Sequence, residues 1–305
     1  MDLRQLKYFV TIVEAGTVTE ASHRLHIVQS ALSQRLADLE ESMGVQLLVR
    51  SRTGVRVTEA GHELYTRAKL MLKQAQATRS AVQEKASAAS GPVGIGLLRS
   101  IAPILGAKLF RAIRNELPQI RPEIVVGYSD ELLRMLRNGA LDLSLGVQQP
   151  SDALLDGSFV FAEGVHLVGV RDFVRTAAPV GVEHLRDVPL LVSSGRGPIH
   201  RVLEAAAGRH GFALNVVGSL EDQASLMELC SEGLAATYVP ETTAAYLVRR
   251  HPAMRAAPIQ EPLLERNIFM YTHSAVPRTG AVMALERLIV RLLHDERAQE
   301  STAGA

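Results

Sequence analysis

Apolar residues along the first ninety positions recur mostly at helical spacing. Leu3, Leu6, Phe9 and Val13 mark one helical face, which Ala15-Gly16 closes. Thr17-Val18-Thr19-Glu20 has the Thr-x-x-Glu spacing of a capping box, and Val18, Ala21 and Leu25 form the buried side of a short helix ending near His26. After the Ile27-Val28 turn, Leu32, Leu36, Leu39 and Met43 give the inner face of a third helix, stopped by Gly44. Its outer face carries Ser30, Ser33 and Gln34, with Gln29 at its tip. These side chains are poor core residues but good partners for base edges and phosphates. Leu47 to Arg50 and Val55 to Val57 then read as two short strands joined across Ser51 to Gly54, a wing that carries Arg50, Arg52 and Arg56. Thr58 caps a long helix that runs to about Ser87, with Leu64, Ala68, Met71, Leu72, Ala75 and Val82 along one stripe. That helix has no evident neighbour in the first sixty residues, so it is expected to pair with a second copy. Ser90-Gly91-Pro92 ends it.

From Val93 the pattern changes to strands alternating with helices. Strands at 93–98, 123–128 and 141–147 enclose helices at 102–116 and 130–138. The same order returns as strands at 189–193, 213–219 and 234–239 and helices at 198–209 and 222–232. An offset of 94 aligns Ser100 with Ser194, Leu132 with Leu226, and Gly139 with Gly233. Two similar α/β lobes are therefore expected, joined by apolar crossing strands at Phe161 to Gly169 and Arg266 to His273. A last helix, 278–296, returns to the first lobe, and Gln299 to Ala305 form a frayed tail. Ligands of parallel α/β sheets collect at the carboxyl ends of strands. Ser100, Ser129 and Ser194 all fall at such junctions, and Arg99, Arg196, His200 and Arg201 nearby suit a carboxylate-bearing ligand. Each serine alone reads better as a helix cap than as a ligand contact, and it is the convergence of all three that points to a site.

The division implied is a DNA-binding unit at 1–58, a linker helix at 59–90, and a ligand-binding domain at 91–305. In that domain 91–162 and 267–305 form lobe I, and 163–266 form lobe II.

Composition narrows the classes. The chain has 305 residues, 47% of them hydrophobic, with 33 Lys+Arg against 32 Asp+Glu. A net charge of +1 neither signals nor excludes a nucleic-acid partner. Local distribution matters more. Residues 1–60 hold seven basic and seven acidic residues, yet three arginines fall within seven wing positions while Asp38, Glu40 and Glu41 lie at the far end of the third helix. A single cysteine, Cys230, excludes an internal disulfide and fits a reducing compartment. The charged N-terminus does not read as an export signal, and no apolar run is long enough to span a bilayer, so a cytoplasmic protein is expected. Gly94-Ile95-Gly96 lacks a third glycine for a dinucleotide fingerprint, and Ser193-Ser194-Gly195-Arg196-Gly197 is no nucleophile elbow. An enzyme, a cofactor and a metal are not expected; His23 and His26 have no third ligand nearby. A solute-binding protein would explain residues 92–295 but not the winged helix.

The stretches Leu6-Lys7-Tyr8-Phe9, Gly16-Thr17-Val18-Thr19-Glu20-Ala21, Leu25-His26-Ile27-Val28-Gln29-Ser30-Ala31-Leu32-Ser33, Leu36-Ala37-Asp38-Leu39-Glu40 and Val57-Thr58-Glu59-Ala60-Gly61 jointly resemble LysR-type transcriptional regulators. The N-terminal third is most similar to the nitrogen-assimilation-control branch. The resemblance implies an α+β multidomain chain: a winged helix-turn-helix, a long dimerising linker helix, and two α/β subdomains of the periplasmic-binding-protein type. It implies a homodimer assembling to a homotetramer on double-stranded promoter DNA, contact with RNA polymerase, and control by a small-molecule inducer or, as in some members of that branch, without one. By the family's pattern Gln29, Ser30, Ser33, Gln34 and Arg35 face the DNA, with Arg50, Arg52, Thr53 and Arg56 in or near the wing. Inducer contacts fall on Ser100, Ile101, Ser129, Val147 and Ser194, with Arg196 and His200 beside them. This chain departs from the pattern at Val28, where a hydroxyl cap is usual, at Ser30, where proline is usual, and at Leu48-Val49 and Val147.

Overall fold

The computed structural model describes residues 1–51, 54–83, 89–147, 152–193, 198–261 and 264–303. The N-terminal unit packs α1 (Leu3–Ala15), α2 (Val18–Leu25) and α3 (Gln29–Met43) against a hairpin of β1 (Leu48–Ser51) and β2 (Gly54–Val57) and the start of α4 (Glu59–Gln83). Helix α1 opens on a capping box: Asp2 accepts from the Gln5 amide at 2.8 Å, and Gln5 accepts from the Asp2 amide at 2.9 Å. Only half of the expected second box forms. Thr17 accepts from the Glu20 amide at 3.0 Å, but the Glu20 carboxylate turns outward to Arg24, one helical turn on. The wing is fixed to the α1–α2 turn. The Val55 amide donates to the Gly16 carbonyl at 2.9 Å, and a Cβ on Gly54 would stand 2.4 Å from that same oxygen, so only glycine fits there.

Thr58 caps α4 as expected, accepting from the Gly61 amide at 3.0 Å. The helix does have a neighbour in its own unit. Leu64 and Ala68 are buried with Leu6, Phe9 and Leu36, and the Tyr65 hydroxyl donates to Glu14 at 3.0 Å. A surface stripe in one dimension cannot reveal that α1 has a second face to cover. Only the later turns of α4 leave the unit.

Lobe I is built on the parallel order β4 (Ile120–Gly127), β3 (Gly91–Leu98) and β5 (Leu143–Gly146), with α5 (Ala102–Glu116) and α6 (Ser129–Arg137) as crossovers. Lobe II repeats this with β8 (Leu190–Ser193), α7 (Pro198–Arg209), β9 (Val216–Leu220), α8 (Gln223–Ser231) and β10 (Thr237–Pro240). The offset of 94 survives in three dimensions: α6 and α8 start and end 94 residues apart, and Gly139 and Gly233 close the two helices at φ +69° and +79°. β7 (Val180–Gly181) lies at the far edge of lobe II, and the short helical turn Val182–Leu185 follows it.

The lobes are joined less symmetrically than expected. β6 (Leu155–Val170) crosses as one continuous strand, pairing with β12 (Glu265–His273) through Gly164 and with β10 and β11 (Met254–Glu261) beyond it. The return is not a crossing strand. β12 pairs only within lobe I, so the chain changes lobes between β11 and β12. α9 (Glu241–Arg250), absent from the periodicity reading, packs beside β6, and α10 (Gly280–Ala303) returns along α5. Separate apolar cores fill the N-terminal unit and lobe I, while two fill lobe II.

Candidate nucleic-acid interface and inter-lobe site

Helix α3 is held from beneath by Leu32, Leu36 and Leu39, which are at most 5% exposed. Its opposite side is presented to solvent. Gln29 and Ser30 are exposed at its first turn with no hydrogen-bond partner in the described structure. Val28, at the N-cap, contributes no side-chain hydrogen bond, so the first amides of α3 are left without a side-chain cap. Ser33 is half-buried one turn on. Gln34 and Arg35 are exposed but lean along the helix to Asp38, at 2.9 and 3.9 Å. A nucleic-acid acceptor would therefore compete with Asp38 for both. Glu40, one of the acidic residues at the far end of the helix, accepts from the Leu47 and Leu48 amides at 2.7 and 3.0 Å and so ties the wing to α3. In the wing Arg56 is exposed and pairs with Val49 in the ladder, while Arg50 pairs with Val55. Arg52 and Thr53 lie outside the described residues.

Between the lobes the sequence-predicted residues are placed very differently. Ser100 follows β3 and accepts from the Arg266 guanidinium at 2.8 Å. The same guanidinium donates to one Glu163 oxygen from Nε at 2.7 Å and from Nη2 at 2.6 Å. The other Glu163 oxygen accepts from the Thr242 amide at 3.0 Å and its hydroxyl at 2.7 Å. Thr243 donates to the Ser100 carbonyl at 3.2 Å. Glu163, on the crossing strand, is 2% exposed and fully engaged. This closed network ties β6 and β12 to the start of α9 and to Ser100, and forms the floor between the lobes.

Across the opening, Arg99 of lobe I reaches Glu221 of lobe II at 3.7 Å and lies over the Tyr128 ring, whose hydroxyl is 3.4 Å from the Ser193 hydroxyl. Arg99 is thus occupied by a protein carboxylate rather than left open for a ligand. Ser129 is half-buried at the start of α6 and accepts from the Val147 amide at 3.0 Å, which joins two of the predicted positions. Ile101 is 1% exposed and packed in the lobe I core. His200 is 2% exposed, with Nδ1 2.6 Å from the Tyr238 hydroxyl and Nε2 3.0 Å from Glu204, so it serves the interior of lobe II. Arg201 is exposed on α7. Ser194 and Arg196 lie outside the described residues.

Sequence reading missed the Glu163 and Arg266 pair and Tyr271. The usable signal for the pair was one acid inside the apolar run 159–170 and one arginine at the head of the second run. Tyr271 on β12 is fully buried, and its hydroxyl has no partner among the described residues. Burial pushes that phenol up to about 12. A Cβ on Gly146 would stand 2.7 Å from its ring and 3.2 Å from the Ser129 hydroxyl, so the ring backs directly on the Ser129 and Val147 junction. Cys230 is buried, and desolvation moves its thiol up to about 11, which keeps it unreactive at neutral pH. Among the described residues no three His, Cys, Asp or Glu side chains converge as metal ligands, and no helix is long and apolar enough to cross a membrane.

Comparison with known proteins agrees with this division. Residues 3–62 match the bacterial regulatory helix-turn-helix protein, lysR family, and residues 86–293 match the LysR substrate binding domain. The nitrogen assimilation regulatory protein nac of Klebsiella aerogenes is 34% identical over 81% of each chain, and that of Escherichia coli is 32% identical over a similar span. Among solved structures, a full-length OxyR variant from Pseudomonas aeruginosa superposes with a TM-score of 0.79 at 23% identity, covering 96% of this chain and 95% of that one. Full-length CbnR in complex with its target DNA superposes with a TM-score of 0.64 at 22% identity, covering 95% of this chain and 99% of that one. A winged helix-turn-helix joined by a long helix to two α/β lobes, with both family descriptions matched in order, places the chain in the LysR family as a LysR-type transcriptional regulator.

Proposed function

We propose that the chain reads paired promoter half-sites in the cytoplasm as a homodimer that assembles further to a homotetramer, and that a small molecule bound between the lobes modulates its contact with RNA polymerase. One observation carries the DNA-reading part: Gln29 and Ser30 have no side-chain partner among the described residues and stand at the tip of a helix braced by three buried leucines, beside a hairpin that exposes Arg56. Hydrogen-bonding groups without protein partners on a rigid element suit base edges, and a nearby guanidinium suits phosphate. Ser33, Gln34, Arg35, Arg50, Arg52 and Thr53 complete the proposed surface. Self-association is supported by Met71 and Val82, exposed on α4, and by two similar apolar patches. Phe110 on α5 and Val126 on edge strand β4 are exposed on lobe I, and Val202 on α7 and Val217 on β9 are exposed on lobe II.

For the inducer, Ser100, Ser129, Val147 and Ser194 are assigned to the site, with the buried Tyr271 ring behind the Ser129 junction. Ile101 and His200 shape it from behind, and Arg196 supplies charge. Because Arg99 and Arg266 already hold Glu221 and Glu163, a carboxylate ligand gains only by exchanging with a protein carboxylate. A peroxide response through a disulfide within the chain is excluded by the single cysteine.

Gel-shift titration against duplexes selected from a random library tests the first part. Arg56→Ala is expected to weaken all duplexes alike and to reduce the salt slope by about 1. Equal loss on selected and random DNA for Gln29→Ala and Ser33→Ala would overturn the assignment of readers. A thermal-shift panel of small carboxylates tests the second part, since a ligand at 100 times its Kd adds about 2.7 kcal/mol. Shifts that persist unchanged in Ser129→Ala would remove the proposed pocket without touching the DNA reading.

A further inference from the structure

Helix α4 touches lobe I at one built contact. The Lys73 ammonium donates to the Gly139 carbonyl at 2.9 Å and the Leu141 carbonyl at 2.5 Å, and lies 3.0 Å from an Asp142 oxygen. The other Asp142 oxygen accepts from the Gly94 amide of β3 at 2.7 Å, so the carboxylate is anchored to the central strand of the lobe. Gly139 sits at φ +69°, where a Cβ would approach Leu70 of α4 to 3.1 Å. Lys73 is 19% exposed, and burial draws its ammonium below the usual lysine range while Asp142 pulls it back up. The acceptors it grips are the carbonyls just past the C-terminus of α6, where the helix dipole favours a cation.

We propose that Lys73 is a positioning residue: its clasp on residues 139–142 sets where the DNA-binding unit stands relative to lobe I. Helix α6 carries Ser129 at its other end, about 14 Å away by the rise of its nine residues. The clasp and the inter-lobe junction are thus two ends of one short rigid element. Three acceptors around one half-buried ammonium distinguish this contact from an exposed ion pair such as Arg67 with Glu63. The proposal rests on the DNA-reading interpretation for its functional meaning, but its geometry is testable without DNA.

Cys230 is buried and unreactive, so nitroxide labels can be placed at Glu41→Cys on the N-terminal unit and Arg287→Cys on lobe I, with labelled chains diluted into unlabelled ones. The expected result is one narrow distance distribution in the parent chain, a several-fold broader one in Lys73→Met, and a narrow one again in Lys73→Arg, which keeps the charge and donors. A second arm uses library-selected duplexes and their single-half-site truncations. Lys73→Met is expected to lose at least tenfold on the two-site duplex and to bind the half-site as the parent does. An unchanged distribution in Lys73→Met, or equal losses on both duplexes in a folded protein, would overturn the proposal. If the parent selects no duplex, the DNA reading fails, while the distance arm still decides the clasp.

Discussion

The tip of α3 and the floor between the lobes use polar side chains in opposite ways. At the tip, Gln29 and Ser30 are exposed and without a side-chain partner among the described residues. On the floor, Glu163 is buried and Arg266 half-buried, with both carboxylate oxygens and the Nε and Nη2 donors engaged. The first surface offers hydrogen bonds to a partner at little desolvation cost. The second has already exchanged water for protein, so anything binding there must replace a protein contact rather than a water molecule. A recognition surface and a regulatory joint therefore look different before any ligand is present.

The sharpest way to break the contrast is Glu163→Ala. It strands the Arg266 charge in the interior and is expected to cost about 3 to 5 kcal/mol in denaturant unfolding. The double variant Glu163→Leu with Arg266→Met should recover most of that loss. If the single variant unfolds like the parent, the floor is not a closed network. At the tip, Gln29→Ala is expected to leave unfolding unchanged and to reduce discrimination between selected and random duplexes by about 1 to 3 kcal/mol, the range for a bidentate base contact. Thr58→Ala lies between the two regions; losing the α4 cap should lower stability by about 1 kcal/mol, read as a fall in Tm.

The smallest expected effect is a dependence on pH. Burial lowers the folded-state values of His166 and His273 below the ordinary histidine range, with the Lys73 charge adding to the effect at His273. The unfolded chain then binds more protons as pH falls through about 6.5, so stability present at neutral pH is lost below it. A shallow decline in Tm between pH 7.5 and 5.5, shallower still in His273→Asn, would be the signature. A flat profile in the parent would show that both rings accept protons freely when folded.

Much of the fold was legible because it is local. The helix at 102–116 and the helix at 198–209 have the limits their periodicity predicts, and the 94-residue offset relates α6 to α8 and Gly139 to Gly233. Thr58 was legible as a cap because capping involves residues three apart. What escaped was non-local or weakly patterned. α9 carries Thr242, Thr243 and two arginines among its apolar residues, so its period is blurred. β12 has the apolar run of a crossing strand, yet pairing places it within lobe I, and no run of residues states which strand it will lie against.

The candidate sites divide the same way. The outward face of α3 follows from which residues must be buried, so Gln29, Ser30 and Ser33 could be assigned without coordinates. In the lobes, residue type and position beside a strand end suggested Arg99 and His200 as ligand contacts, and the family resemblance added Ile101. Their surroundings instead gave Arg99 a carboxylate 122 residues away and buried the other two. By itself the sequence determined most of the helices, the order of the units and the face α3 turns outward, because these depend on spacing within a few turns. Only the tertiary structure decided which charges are spent on one another and which remain free, because Glu163 with Arg266, Arg99 with Glu221 and Lys73 with Asp142 meet across distances in the chain that no local period records.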